Sequence, residues 1–93
     1  MEEVRIGFIG CGGNANGHMR QLSNLEGVRI VATCDLQDER ARNAAESYSA
    51  EPYTNHRIML ERHDLDAIYI SLPVFAHGQP ELDVIERKLP FLV

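Results

Sequence analysis

Ninety-three residues, 44% of them apolar and 25% charged, describe one small globular domain and argue against a disordered chain. A net charge of −5 sets aside nucleic acid and anionic membrane surfaces as partners, since neither favours an acidic protein. Met1-Glu2-Glu3 is acidic where a secretion signal is basic, and no run nears the ~18 apolar residues of a membrane span, so a cytoplasmic location is expected.

The run Val4-Arg5-Ile6-Gly7-Phe8-Ile9 predicts a central, buried strand. It breaks into Gly10-Cys11-Gly12-Gly13-Asn14-Ala15, after which Asn16 to Leu25 has helical spacing. Met19, Leu22 and Leu25 form the apolar stripe, and Gly27 closes the helix. Val28 to Cys34 predicts the second strand, ended by Asp35. Gln37 to Ser49, rich in Ala, Glu and Arg, predicts a helix with a solvated face. Pro52-Tyr53 is at most a very short third strand. Thr54 is placed to cap a short helix through Arg62, with Ile58, Met59 and the Arg62 stem inward.

Leu65 to Leu72 predicts the next strand, stopped by Pro73. Pro80 suits the first turn of a further helix, whose inner face is expected to be Leu82, Ile85 and Leu89. Pro90 to Val93 begins another strand, and the chain stops inside it. Residues 1–93 therefore read as a domain truncated before its end. The alternation predicts an α/β fold: a doubly wound parallel sheet of the Rossmann type, with strand order 3-2-1-4-5. Cys11 and Cys34 belong to no CxxC or Cys/His cluster, so they are expected as small buried apolar residues at strand ends rather than zinc ligands.

The chemistry starts at the glycines. Gly10-x-Gly12-x-x-Ala15 matches the dinucleotide fingerprint with Ala in third place. Gly10 permits the sharp turn, Gly12 lets the backbone approach a pyrophosphate, and Ala15 is small enough for helix–strand packing. The positive end of the following helix favours the same diphosphate. Asp35 follows Ala15 by 20 residues, at the end of the second strand, where such folds place the acid that accepts hydrogen bonds from the adenosine ribose. Alternatively, Asp35 caps the next helix together with Asp38.

A ribose-binding Asp35 also selects the cofactor. Two like charges ~4 Å apart repel by about 4 kcal/mol at an effective dielectric of ~20, up to roughly a thousandfold against a 2′-phosphate. Leu36 offers no rescue, and Arg40 compensates only from a helical turn away, so NAD is preferred to NADP. Ser71-Leu72-Pro73-x-x-x-His77 ends the fourth strand at the switch in strand order, where ligands of open α/β sheets bind. His77 alone also reads as a helix-start residue. His18, His56 and His63 form no ligand-spaced set, and no metal site is expected.

Taken together, Gly10 to Ala15, His18, Leu22, Cys34-Asp35 and Glu39-Arg40-Ala41 resemble the start of the Gfo/Idh/MocA oxidoreductases. Asp64 to Pro73 with His77 is similar to that family's later strand passage, so the resemblance runs through essentially the whole chain. It implies an N-terminal NAD(P)-binding domain of a two-domain dehydrogenase acting on a sugar or polyol. It implies that Gly10, Gly12, Gly13, Asn14 and Ala15 contact the pyrophosphate, that Asp35 holds the ribose, and that Ser71, Leu72, Pro73 and His77 line the nicotinamide side. The family's Glu-Lys-Pro motif, whose Lys assists proton and hydride transfer, follows the strand that ends here at Val93. The chain alone is thus expected to bind NAD weakly and catalyse nothing. Asn14 and Val74-Phe75 depart from the family pattern.

Two other readings compete: a non-catalytic NAD-sensing or structural module, and an S-adenosylmethionine site. The second lacks its usual acid before the glycines, where Phe8-Ile9 stand. An uncovered strand at 91–93 predicts self-association, hence a homo-oligomer.

Overall fold

The computed structural model describes residues 3–62, 64–72 and 78–92. The elements are β1 (Val4–Ile9), α1 (Gly13–Ser23), β2 (Val28–Cys34), α2 (Asp38–Tyr48), β3 (Glu51–Tyr53), α3 (His56–Arg62), β4 (Ala67–Ile70), α4 (Gln79–Glu86) and β5 (Phe91–Leu92). All strands pair in parallel in the order β3-β2-β1-β4-β5, as the sequence predicts.

Alternation along β1 feeds two cores. Ile6 and Phe8 meet Ala15 and Met19 of α1 and Ala44 of α2 on one face. Ile9 joins Met59 and Leu60 of α3, Ile68 and Ile70 of β4, and Val84 of α4 on the other. Phe8 and Met19 are fully buried, each contributing roughly 1.5–3 kcal/mol of transfer free energy. Gly7 faces the second core, where an added Cβ would come within 3.2–3.3 Å of Leu65, Met59 and Ile68. The β1–β2 register slips between Ile6 and Gly7. Thr33, buried in β2, donates its hydroxyl proton to the Ala41 carbonyl at 2.8 Å, tying α2 to the sheet.

Several boundaries and faces differ from expectation. α1 starts at Gly13, not Asn16, because helical backbone begins directly after the Gly12 turn, and Leu25 lies beyond its end, 55% exposed. Asn55, not Thr54, caps α3: its Oδ1 accepts the Arg57 N–H at 2.9 Å. α3 buries Met59 and Leu60, leaving Ile58 outside. β4 is shorter than Leu65 to Leu72: it spans Ala67–Ile70, and just before it Asp66 meets Arg5 of β1 twice, its N–H donating to the Arg5 carbonyl and its carboxylate accepting the Arg5 N–H, both at 2.8 Å.

The largest correction is α4. Pro80, Asp83 and Val84 point inward, while Leu82 and Ile85 are more than half exposed; Leu89 does pack on the core. The helix is rotated because Asp83 finds three donors inside. Its Oδ2 meets His56 Nε2 at 2.5 Å and accepts from Arg57 Nε at 3.0 Å, and its Oδ1 accepts from Gln79 Nε2 at 2.8 Å. A buried carboxylate held this way costs little, whereas an unpaired one would forbid this face.

Candidate nucleotide-binding site

The described candidates gather at the carboxyl ends of β1, β2 and β4. Gly10 leaves β1 with φ +97, and a Cβ there would lie 1.9 Å from the Ser71 carbonyl oxygen. Only glycine fits this crossing of the two loops. Its N–H donates to the Cys34 carbonyl at 2.7 Å, and the Ser71 N–H to the Ile9 carbonyl at 2.8 Å, so three strand ends are tied at one point.

Gly12 and Gly13 are different. A Cβ on Gly12 would meet only Arg40 Nη1, at 3.8 Å, and one on Gly13 nothing within 4 Å. Their backbone faces open space beside a guanidinium. α1 opens here with no side-chain cap and no acidic residue in its first turn. Its first bond runs from the Asn16 N–H to the Gly12 carbonyl at 3.0 Å, so the amides of Gly13, Asn14 and Ala15 precede the helical ladder. The Asn16 side-chain amide donates to the Cys11 and Gly12 carbonyls at 3.2 and 3.0 Å, bracing the turn.

Asp35 stands across from this loop, half-buried. Its Oδ2 accepts the Cys11 N–H at 2.9 Å and its Oδ1 accepts the Gln37 N–H at 2.8 Å. Each carboxylate oxygen retains a second acceptor direction, as two ribose hydroxyls require. Asp35 does not cap α2, whose N-cap is Gln37, and Asp38 instead pairs with Arg42 at 2.6 Å.

Cys11 and Cys34 are free and buried, as expected, with the Cys11 thiol 3.4 Å from the Cys34 carbonyl. Burial, and then the nearby Asp35 carboxylate, push both thiols up to about 12. Such thiols stay protonated and unreactive at neutral pH.

Two hollows border the loop. An apolar cavity of about 340 Å³ runs from Gly10 and Asp35 between Leu36, Leu72 and Pro80, with His56 and Thr54 in its wall. A polar hollow of about 420 Å³ follows α1 from Gly13 and Asn14 to Asn24. His18 on its edge packs on Tyr69, ring centroids 4.8 Å apart, and Tyr69 stacks on Phe8 at 5.1 Å. Among the described residues no group of His, Cys, Asp and Glu could hold a metal. Pro73 and His77, and the third histidine, His63, lie outside the described residues.

The glycine backbone, the uncapped helix and the facing carboxylate together fit a dinucleotide. The profile of an oxidoreductase family with an NAD-binding Rossmann fold matches residues 4–93. The chain belongs to the Gfo/Idh/MocA family. A glycosyl hydrolase family 109 protein of Shewanella woodyi is 33% identical over 98 residues, taking in 94% of this chain and 21% of that protein. The inositol 2-dehydrogenase of Burkholderia multivorans is 33% identical over 90 residues, 83% of this chain and 27% of the relative. The structure of the myo-inositol dehydrogenase of Lactobacillus casei in complex with NAD(H) and myo-inositol superposes with a TM-score of 0.86 at 25% identity, covering 96% of this chain and 27% of that one. The chain spans 21–27% of the length of these proteins.

The resemblance read from the sequence is thus borne out, and so is the fold. Not anticipated were the brace from Asn16 and the cavity wall of Thr54, His56 and Pro80. The strand order held a signal for that wall: residues after β3 emerge beside the end of β2, hence beside Asp35.

Proposed function

We propose that the chain is the nucleotide-binding part of an NAD-dependent oxidoreductase that acts on a sugar, polyol or related hydroxy compound. The observation that carries the reading is the unobstructed backbone at Gly12 and Gly13, in front of uncapped α1 and opposite Asp35. Gly10 shapes the turn. The amides of Gly12, Gly13, Asn14 and Ala15, with Arg40 above them, take the pyrophosphate. Asp35 accepts from the ribose hydroxyls, and its charge disfavours a 2′-phosphate, so NAD is preferred to NADP. Ser71 and Leu72, continuing to Pro73 and His77, line the nicotinamide side. NAD, when bound, supplies the acceptor or donor of a hydride.

Substrate binding and acid–base chemistry belong to sequence beyond these 93 residues in the parent, which we expect to be a homo-oligomer in the cytoplasm; the chain alone binds and does not turn over. Calorimetric titration with NAD, NADP and S-adenosylmethionine tests this. NAD should bind at least tenfold tighter than NADP, and Asp35→Asn should narrow that gap. Equal affinity for the two, or binding of S-adenosylmethionine alone, would refute the reading. The glycosyl hydrolase relative favours a second reading of the parent, as a glycosidase that retains the cofactor site. Release of aglycone with no net NADH would select it.

A further inference from the structure

The apolar cavity beside Asp35 carries one polar wall that the dinucleotide fingerprint does not account for. His56 stands at the start of α3 and lines the cavity together with Leu36 and Leu72. Its Nε2 lies 2.5 Å from Oδ2 of Asp83, which is 6% exposed and comes from α4, the helix that also supplies Pro80 to the same wall. Arg57 and Gln79 donate to that carboxylate as well, at 3.0 and 2.8 Å. Those bonds, the one to His56 foremost, hold the Asp83 carboxyl down at about 2 against the effect of burial.

An ionised carboxylate has no proton to give, so the hydrogen in the 2.5 Å contact belongs to His56 Nε2. In the neutral form of the ring the lone pair is then on Nδ1. A cavity lined by Leu36, Leu72 and Pro80, with Asp35 and an imidazole also in its wall, is suited to a heterocycle that bears an amino group.

We propose that His56 is the base-reading residue of this site: its Nδ1 accepts a hydrogen bond from the exocyclic amino group of an adenine held between Leu36, Leu72 and Pro80, and Asp83 is the positioning residue that fixes the tautomer. The inference rests on the dinucleotide reading above and extends it to the base. His56 thereby discriminates a 6-amino purine from a 6-oxo purine, whose oxygen would place lone pair against lone pair.

The test compares NAD with nicotinamide hypoxanthine dinucleotide, in which an oxo group replaces the 6-amino group, by titrating the 93-residue chain at pH 8. NAD should bind about five- to tenfold tighter, the range of a single neutral hydrogen bond. His56→Phe keeps a flat ring but has no acceptor, and it should bring the ratio to about one while both ligands still bind. Asp83→Asn, whose amide can either donate to the ring or accept from it, should reduce the ratio without any change in the residues lining the cavity. Thermal melting checks that each variant is folded; if Asp83→Asn is not, His56→Phe alone decides. A ratio near one in the unsubstituted chain, or a ratio unchanged in His56→Phe, overturns the proposal. Heat from neither ligand overturns the dinucleotide reading and the proposal with it, an outcome distinct from binding without discrimination.

Discussion

Gly10 and Gly12 are two residues apart in one loop, and the same substitution should break the fold at one and the binding at the other. At Gly10 an Ala methyl must occupy φ +97 and a point 1.9 Å from the Ser71 carbonyl oxygen. The positive φ alone costs about 1–3 kcal/mol. The obstacle is main chain, so relief requires β1 or the Ser71 turn to move, and the bonds Gly10–Cys34 and Ser71–Ile9 strain with it. A total of about 3 kcal/mol or more corresponds to a fall in Tm of at least ~12 °C for a domain of this size. At Gly12, φ is −78 and the new methyl meets only a flexible guanidinium at 3.8 Å. Stability should then change by less than about 1 kcal/mol, because lower unfolded-state entropy offsets the small loss at an N-cap. The methyl does stand where a pyrophosphate would lie, and NAD affinity should drop at least tenfold. Circular-dichroism melts and calorimetry on both variants check this. A Gly10→Ala protein that melts like the parent, or a Gly12→Ala protein that melts ~8 °C lower, would refute this division of roles.

Met19→Ala removes a fully buried side chain between α1 and the sheet, and should lower unfolding free energy by about 2–5 kcal/mol in urea titration. The Asp83 carboxyl titrates at about 2 when folded, below its ordinary 3.8. Its contribution is therefore present above pH ~4 and lost as pH falls toward 2, and Asp83→Asn should flatten that acid limb of the stability profile. The Cys11 and Cys34 thiols, both held near 12, should react with a disulfide reagent at neutral pH far more slowly in the native chain than in urea. Fast native labelling would mean that their burial is not maintained in solution. Leu82→Glu should shift stability by no more than about 0.5 kcal/mol, whereas a helix packed on Leu82 would lose several times that.

The fold was legible because β1, β2 and β4 are largely apolar runs and each junction carries its own punctuation. Val4–Ile9, Val28–Cys34 and the Gly10 turn are read by local rules, and parallel pairing follows from the helices between them. The position of Asp35 beside the glycine turn was legible by its distance from the glycines. What failed was the phase of short helices. In α3 and α4 too few apolar residues define a stripe, and the face read from Leu82, Ile85 and Leu89 took no account of Asp83. Its partners His56 and Arg57 lie 27 and 26 residues away, so no local window contains the reason for its burial. The cavity wall was missed for the same cause: three chain segments build it, and none is marked by itself.

Asp35 is bonded before any ligand arrives. Its carboxylate already joins the Cys11 amide to the end of β2 and the Gln37 amide to the start of α2. Exchanging this acid for a residue with no acceptor would remove one of the ties between the glycine turn and β2, leaving the Gly10 N–H on the Cys34 carbonyl. On the proposed reading, cofactor preference and the support of this loop pass through one side chain. A replacement that keeps an acceptor, such as Asn, removes the charge and preserves the bond to the Cys11 amide. The two backbone bonds thus limit which neutral residues can take the place of Asp35 at this turn.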